Sequence, residues 1–149
     1  MGYEELISEY NDQVLIFEKS QINNGYYCDG IIVIKDSLPE DEKNCTLAEE
    51  LGHYHTTQGN ILDQSKIINI KKEAIARRWA YRKLLPLDAF IVAFENRRLD
   101  KYEMIEDLQV TEEFLESSIK YYRQKYGSGI NLGNYCIMFE PYLQIVKWF

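Results

Sequence analysis

Strands at both ends of the chain with helices between them predict an α+β fold: a small β-sheet with about five or six helices. Three observations carry this. Short β-prone runs fill the stretch from Val14 to Ile34, apolar residues recur with helical spacing from residue 40 to residue 126, and two more β-prone runs close the chain. With 149 residues, 46% of them hydrophobic, the chain is expected to form a single domain over residues 1–149 with a substantial core.

The elements follow in order. Tyr3, Leu6, Ile7 and Tyr10 stand at i, i+3, i+4 and i+7, one face of a short helix. Val14 to Phe17, Gly25 to Cys28 and Ile31 to Ile34 read as strands, and Asp29-Gly30 between the last two is a hairpin signal. After Pro39, the acids Glu40, Asp41 and Glu42 suit the positive end of a helix expected to run to Thr57, before Gly59. A second long helix is expected from Lys66 to Leu85, stopping at Pro86. Asp88 to Asn96, Lys101 to Leu108 and Thr111 to Tyr126 read as three more, the last opened by Thr111 and closed by Gly127. Tyr135 to Phe139 and Leu143 to Trp148 read as two closing strands.

Charge and composition exclude some functions. Seventeen basic against 24 acidic residues leave a net charge of −7, which disfavours a bulk grip on nucleic acid or on an anionic membrane. The longest apolar run, Ala89 to Phe94, is far short of the ~20 residues a bilayer span needs. Cys28, Cys45 and Cys136 form no CxxC pair and are expected to be small buried hydrophobes in a reducing compartment. The start of the chain lacks the features of a secretion signal, so a soluble, cytoplasmic protein is expected.

The chemistry concentrates in Leu47-Ala-Glu-Glu-Leu-Gly-His-Tyr-His55. On a wheel turning about 100° per residue from Leu47, Leu51 and Tyr54 define an apolar face, while Glu49, His53 and Glu50 fall at about 200°, 240° and 300°. Glu49 and His53, at i and i+4, have the spacing of two ligands sharing a metal. Glu50 stands beside them, as a general base should. His55, at about 80°, reads as structural. Such a pattern also arises on an ordinary solvated acidic helix. On the following helix Glu73 is the sole acid between Ser65 and Leu85, with Ala76 and Ala80 on its face and Ile67, Ile70, Ala74, Ile75 and Trp79 making other sides apolar. Small residues there would let the two helices meet, so that Glu73 supplies a third ligand. In the competing reading Glu73 only pairs with Arg77 on a wet surface.

The stretch from Thr46 to His53 resembles the zinc-binding helix of the ImmA/IrrE family of metallopeptidases, whose core is His-Glu-Leu-Gly-His. Glu73-Ala74, Ala76, Trp79-Ala80 and Leu84-Leu85-Pro86 resemble the family's second block. The Gly25–Ile34 hairpin, the Asp107–Phe114 turn and the Phe139-Glu140-Pro141 tail are similar to its other landmarks. The resemblance implies a zincin-like core in a cytoplasmic bacterial peptidase, often encoded by a prophage or mobile element, whose substrate is a helix-turn-helix repressor. It also implies roles: Glu50 as general base, His53 and Glu73 as metal ligands. Glu49 stands where the family has its first histidine and is the expected third ligand. That set is harder and more negative than His-His-Glu, so zinc would face competition from manganese or iron.

Two alternatives follow. In one, the variant motif marks a weak or inactive member that counters a repressor by binding alone. In the other, Tyr102 to Leu108 and Glu112 to Tyr126 are a DNA-binding helix-turn-helix, a reading opposed by Glu112, Glu113 and Glu116 at the start of its second helix. The Lys66–Leu85 helix carries seven cations and one acid, net +6, against −13 on the remaining residues. That contrast suits a metal site between helices, its carboxylates tempered by cations, better than a nucleic-acid surface.

Overall fold

The computed structural model describes residues 1–56 and 66–148. The expectations for Thr57 and Gly59, and for the Ile67 side chain, lie outside the described residues. Among the described residues six helices and two three-stranded sheets form the α+β fold: α1 (Tyr3–Tyr10), β1 (Leu15–Lys19), β2 (Gly25–Cys28), β3 (Ile31–Lys35), α2 (Glu40–Thr56), α3 (Lys66–Leu84), α4 (Leu87–Glu95), α5 (Lys101–Leu108), α6 (Glu112–Tyr126), β4 (Gly129–Leu132), β5 (Tyr135–Met138) and β6 (Gln144–Lys147). No helix among the described residues is long and apolar enough to cross a membrane.

The first sheet has the order β1-β3-β2, with β1 parallel to β3 and β2 antiparallel to it. The hairpin turn uses positive φ at both Asp29 (47°) and Gly30 (77°), which suits the right-handed twist of its strands. Central β3 is covered on both faces, burying Ile32, Val33 and Ile34. Gly25 sits hard against α2: a Cβ there would lie 2.7 Å from Thr46 Cγ2, so the absence of a side chain lets β2 run close along the helix.

Helix α2 is the hub. Leu47, Ala48 and Leu51 bury fully toward α1, the first sheet and the later helices. Asn44, also fully buried, donates from Nδ2 to Met1 O (2.8 Å) and Gln109 O (2.9 Å), tying the amino terminus and the α5–α6 turn to α2. Thr111 caps α6 by accepting from Phe114 N at 3.1 Å, and Asp100 caps α5 by accepting from Tyr102 N at 3.1 Å. Tyr122 donates to Leu85 O at 2.7 Å and stacks on Phe139, seating the second sheet, order β4-β5-β6, against α6.

Four expectations need correction. The small β-sheet expected is two separate sheets, because Gly129–Leu132 adds a strand, β4, that pairs with β5 through a turn at Gly133. Ile70 and Ile75 are 68% and 44% exposed, because α3 packs chiefly through its Ala76–Ala80 face. Only Cys45 is a buried cysteine; Cys28 lies exposed at the hairpin and Cys136 is half-buried. Helix α4 starts at Leu87, directly after Pro86, one residue before the expected Asp88.

Replacing Asn44 with Ala leaves the part-buried carbonyls of Met1 and Gln109 without their donor. Urea unfolding is expected to show a loss of about 1–3 kcal/mol, and a loss within error would show that water satisfies both carbonyls.

Candidate metal and catalytic site

The site lies where α2 crosses α3. Gly52, Ala76 and Ala80 leave no side-chain bulk between the helices, and all three are buried. A Cβ on Gly52 would lie 2.3 Å from Ala76 O, closer than any real contact, so the two backbones touch here. The contacts run in opposite senses along the two helices, with His53 against Glu73, Gly52 against Ala76, and Glu49 beside Arg77.

His53 Nε2 stands 3.0 Å from Glu73 Oε1, with the two side chains 17% and 53% exposed. Both border a recess of about 440 Å³ together with Glu50, and the β2–β3 hairpin forms its other wall through Tyr26, Tyr27, Cys28 and Asp29. The 3.0 Å separation is that of a direct imidazole–carboxylate hydrogen bond; two ligands at ~2.0–2.1 Å from a tetrahedral ion stand about 3.3 Å apart, so a small parting of the pair would admit one divalent metal. Their chemistry fits such an ion as well.

Glu49 lies elsewhere. It borders a second recess of about 370 Å³ with Arg77, Tyr81 and Glu113, and a third, of about 670 Å³, that it shares with Glu50 and Glu73. Among the described residues no three His, Cys, Asp or Glu side chains are grouped closely enough to hold a metal as they stand. The assembled part of the site is thus the His53–Glu73 pair, with Glu50 bordering the first and third recesses.

Burial dominates the electrostatics. It raises the Glu50 carboxyl from its ordinary 4.5 to about 7, with the nearby Glu73 and Glu49 charges adding to the rise. Burial raises Glu49 too, opposed by Arg77 and reinforced by Glu73 and Glu113. His55 takes no part: its ring stacks on Trp79 at 4.6 Å and meets Tyr10 and Tyr54 edge-on. Burial and the Lys83 charge lower its pKa, with Glu9 opposing, and the ring packs as a part-buried aromatic.

A family model for the IrrE N-terminal-like domain, peptidase family M78, matches residues 9–120. The chain belongs to this family. The matched span runs from the end of α1 to within α6 and includes Glu49, Glu50, His53 and Glu73. No curated protein and no solved structure matches the chain. In this family member the recess has a wall that residue spacing did not disclose. Tyr26, Asn69 and Lys72 border the same space as Glu50 and His53. The one available signal was the resemblance of the Gly25–Ile34 hairpin, which places a strand beside the motif helix but does not choose among 12 tyrosines.

Two outcomes follow. Gly52→Ala pushes α3 away from α2, with an expected cost of about 1–3 kcal/mol or more in chemical denaturation and loss of the His53–Glu73 contact. An unchanged stability would mean that the helices do not touch at Gly52. The second concerns proton linkage in metal-free protein. Because the folded-state pKa of Glu50 is raised from 4.5 to about 7, its ionisation penalty is absent below 4.5 and grows as pH rises toward 7. Glu50→Gln removes that penalty, so in chelator its melting temperature should gain on wild type between these pH values and stay ahead above 7. A difference independent of pH would show that Glu50 is not the desolvated group.

Proposed function

We propose that the chain is a metal-dependent endopeptidase whose substrate is a helix-turn-helix repressor. The observation that carries this is the His53–Glu73 pair beside a desolvated Glu50, in a recess walled by a β-hairpin, within a chain of the M78 peptidase family. His53 and Glu73 would hold zinc, with manganese or iron as competitors, and Glu49, the third donor expected from the motif, would have to turn from Arg77 to join them. Bound there, the ion would polarise the scissile carbonyl and acidify the attacking water.

The rest is the work of the chain itself. Glu50, held near neutrality, accepts the proton of the attacking water and returns it to the leaving amine. Its raised pKa matters for both halves of that exchange, since a carboxylate at 4.5 would be a poor acid toward an amine at neutral pH. Tyr26 and Tyr27 line the recess beside the Glu50 carboxyl, which a bound peptide would occupy. Arg77 stands beside Glu49 and offsets part of the negative charge of a site built from three glutamates.

The binding-only reading has one specific observation in its favour, the placement of Glu49 beside Arg77 and away from His53. For DNA binding by α5 and α6 the geometry is adverse. Glu112 and Glu116 at the start of α6 both pair with Lys101, leaving an acidic first turn with its nearest cation already engaged.

Metal analysis together with a cleavage assay separates the readings. The purified chain is expected to bind one equivalent of zinc or manganese, to lose it in Glu73→Ala, and to cut the repressor at least about a hundredfold faster than Glu50→Gln, the range of a lost general base. Equal cleavage by both proteins removes Glu50 from the mechanism. Repressor binding without metal or cleavage establishes the binding-only reading.

A further inference from the structure

We propose that the outer face of α3 is a docking surface for an acidic, partly apolar helix of a partner protein. Lys71, Ile75, Arg78 and Arg82 recur at i, i+4, i+7 and i+11, a single stripe along the helix, and all four are exposed. At about 100° per residue this stripe is turned roughly 140–200° from Glu73, so it faces away from His53 and from the Ala76–Ala80 contact with α2. It is therefore separate from the recess that holds Glu50.

The stripe continues onto α6. Arg82 Nη1 donates to Tyr121 Oη at 2.9 Å, and Lys125 Nζ lies 5.9 Å from the Tyr121 ring centre and 5.4 Å from that of Tyr126. Some cations elsewhere are matched, Lys43 with Glu18, Lys83 with Glu9, Arg98 with Asp107 and Lys147 with Glu95, and what distinguishes the α3 cations is that three of them share one exposed helix face. Among the described residues Lys71, Arg78 and Arg82 meet no carboxylate within 4.0 Å. On a chain of net −7, this is a localised cationic face.

Charge complementarity selects an acidic partner, and two features select a protein over a nucleic acid. Ile75, 44% exposed, interrupts the cations, and a phosphate backbone offers it no apolar counterpart. The net charge of −7 also repels a partner in proportion to that partner's own charge, which penalises a duplex carrying one charge per ~1.7 Å far more than a lightly acidic helix. From Lys71 to Arg82 the stripe spans about 16 Å, matching a helix of about three turns.

The test uses the full chain and three fluorescein-labelled probes read by anisotropy: an amphipathic helical peptide with glutamates flanking a leucine row, the same peptide with Gln for every Glu, and a duplex DNA of arbitrary sequence. The acidic peptide is expected to bind more tightly than the Gln peptide and to weaken with added salt. The triple variant Lys71→Glu, Arg78→Glu, Arg82→Glu should bind it roughly tenfold more weakly, with circular dichroism confirming that α3 persists. Arg78→Glu alone gives a smaller loss in the same direction and spares the Tyr121 contact. Ile75→Ser should weaken binding by a similar factor at low and high salt. Preference for the duplex, equal binding of both peptides, indifference to the triple variant, or a dimer seen by sedimentation that the triple variant abolishes would each overturn the proposal.

Discussion

The contact between the backbones of α2 and α3 at Gly52 and Ala76 is the constraint on which the site depends. A single methyl on Gly52 would meet Ala76 O at 2.3 Å, so the helices can cross at this height only because position 52 has no side chain. Such close approach brings the short Glu73 side chain within 3.0 Å of His53, although the two residues belong to different helices and are 20 positions apart. The same proximity, with the hairpin packed over Thr46 through Gly25, desolvates Glu50 and lifts its pKa to about 7. Packing geometry and acid–base chemistry are two consequences of one missing side chain.

Sense of crossing decides how the charges are shared. The two helices run in opposite senses through the contact, so a step of one turn back along α2, from His53 to Glu49, corresponds to a step of one turn forward along α3, from Glu73 to Arg77. Each turn is about 5.4 Å. One end of the crossing therefore carries an imidazole and a carboxylate, and the other a carboxylate and a guanidinium. Where a histidine at position 49 would stay neutral beside Arg77, a glutamate gains a cationic neighbour, which lowers its pKa against the rise caused by burial. The variant motif and the basic character of α3 are thus physically coupled.

Local signals were legible in proportion to how local their physics is. Strands β2 and β3, the Asp29-Gly30 turn and helix α5 fall where composition and capping place them, because φ preferences and caps act over a few residues. The small residues Ala76 and Ala80 correctly marked the face of α3 that packs, and both are buried. Ile70 and Ile75 misled, since an aliphatic side chain on a helix is neutral about which neighbours it will find, and both are exposed among the described residues. Strand β4 was missed because Gly129-Ile-Asn-Leu132 has weak strand propensity and is held by its pairing with β5.

By itself, the sequence determined the α+β class, the order of the helices, the i, i+4 relation of Glu49 and His53, and the identity of Glu73 as the sole acid on a basic helix. These are properties of helical periodicity and composition, which any part of the chain expresses without the rest. Only the tertiary structure decided that His53 meets Glu73, that Glu49 lies beside Arg77, that Tyr26 and Lys72 wall the recess, and that one cationic stripe of α3 faces outward. All four depend on how two helices and a hairpin are rotated against one another, and that rotation is set by close packing at Gly52 and Gly25, not by the period of either helix.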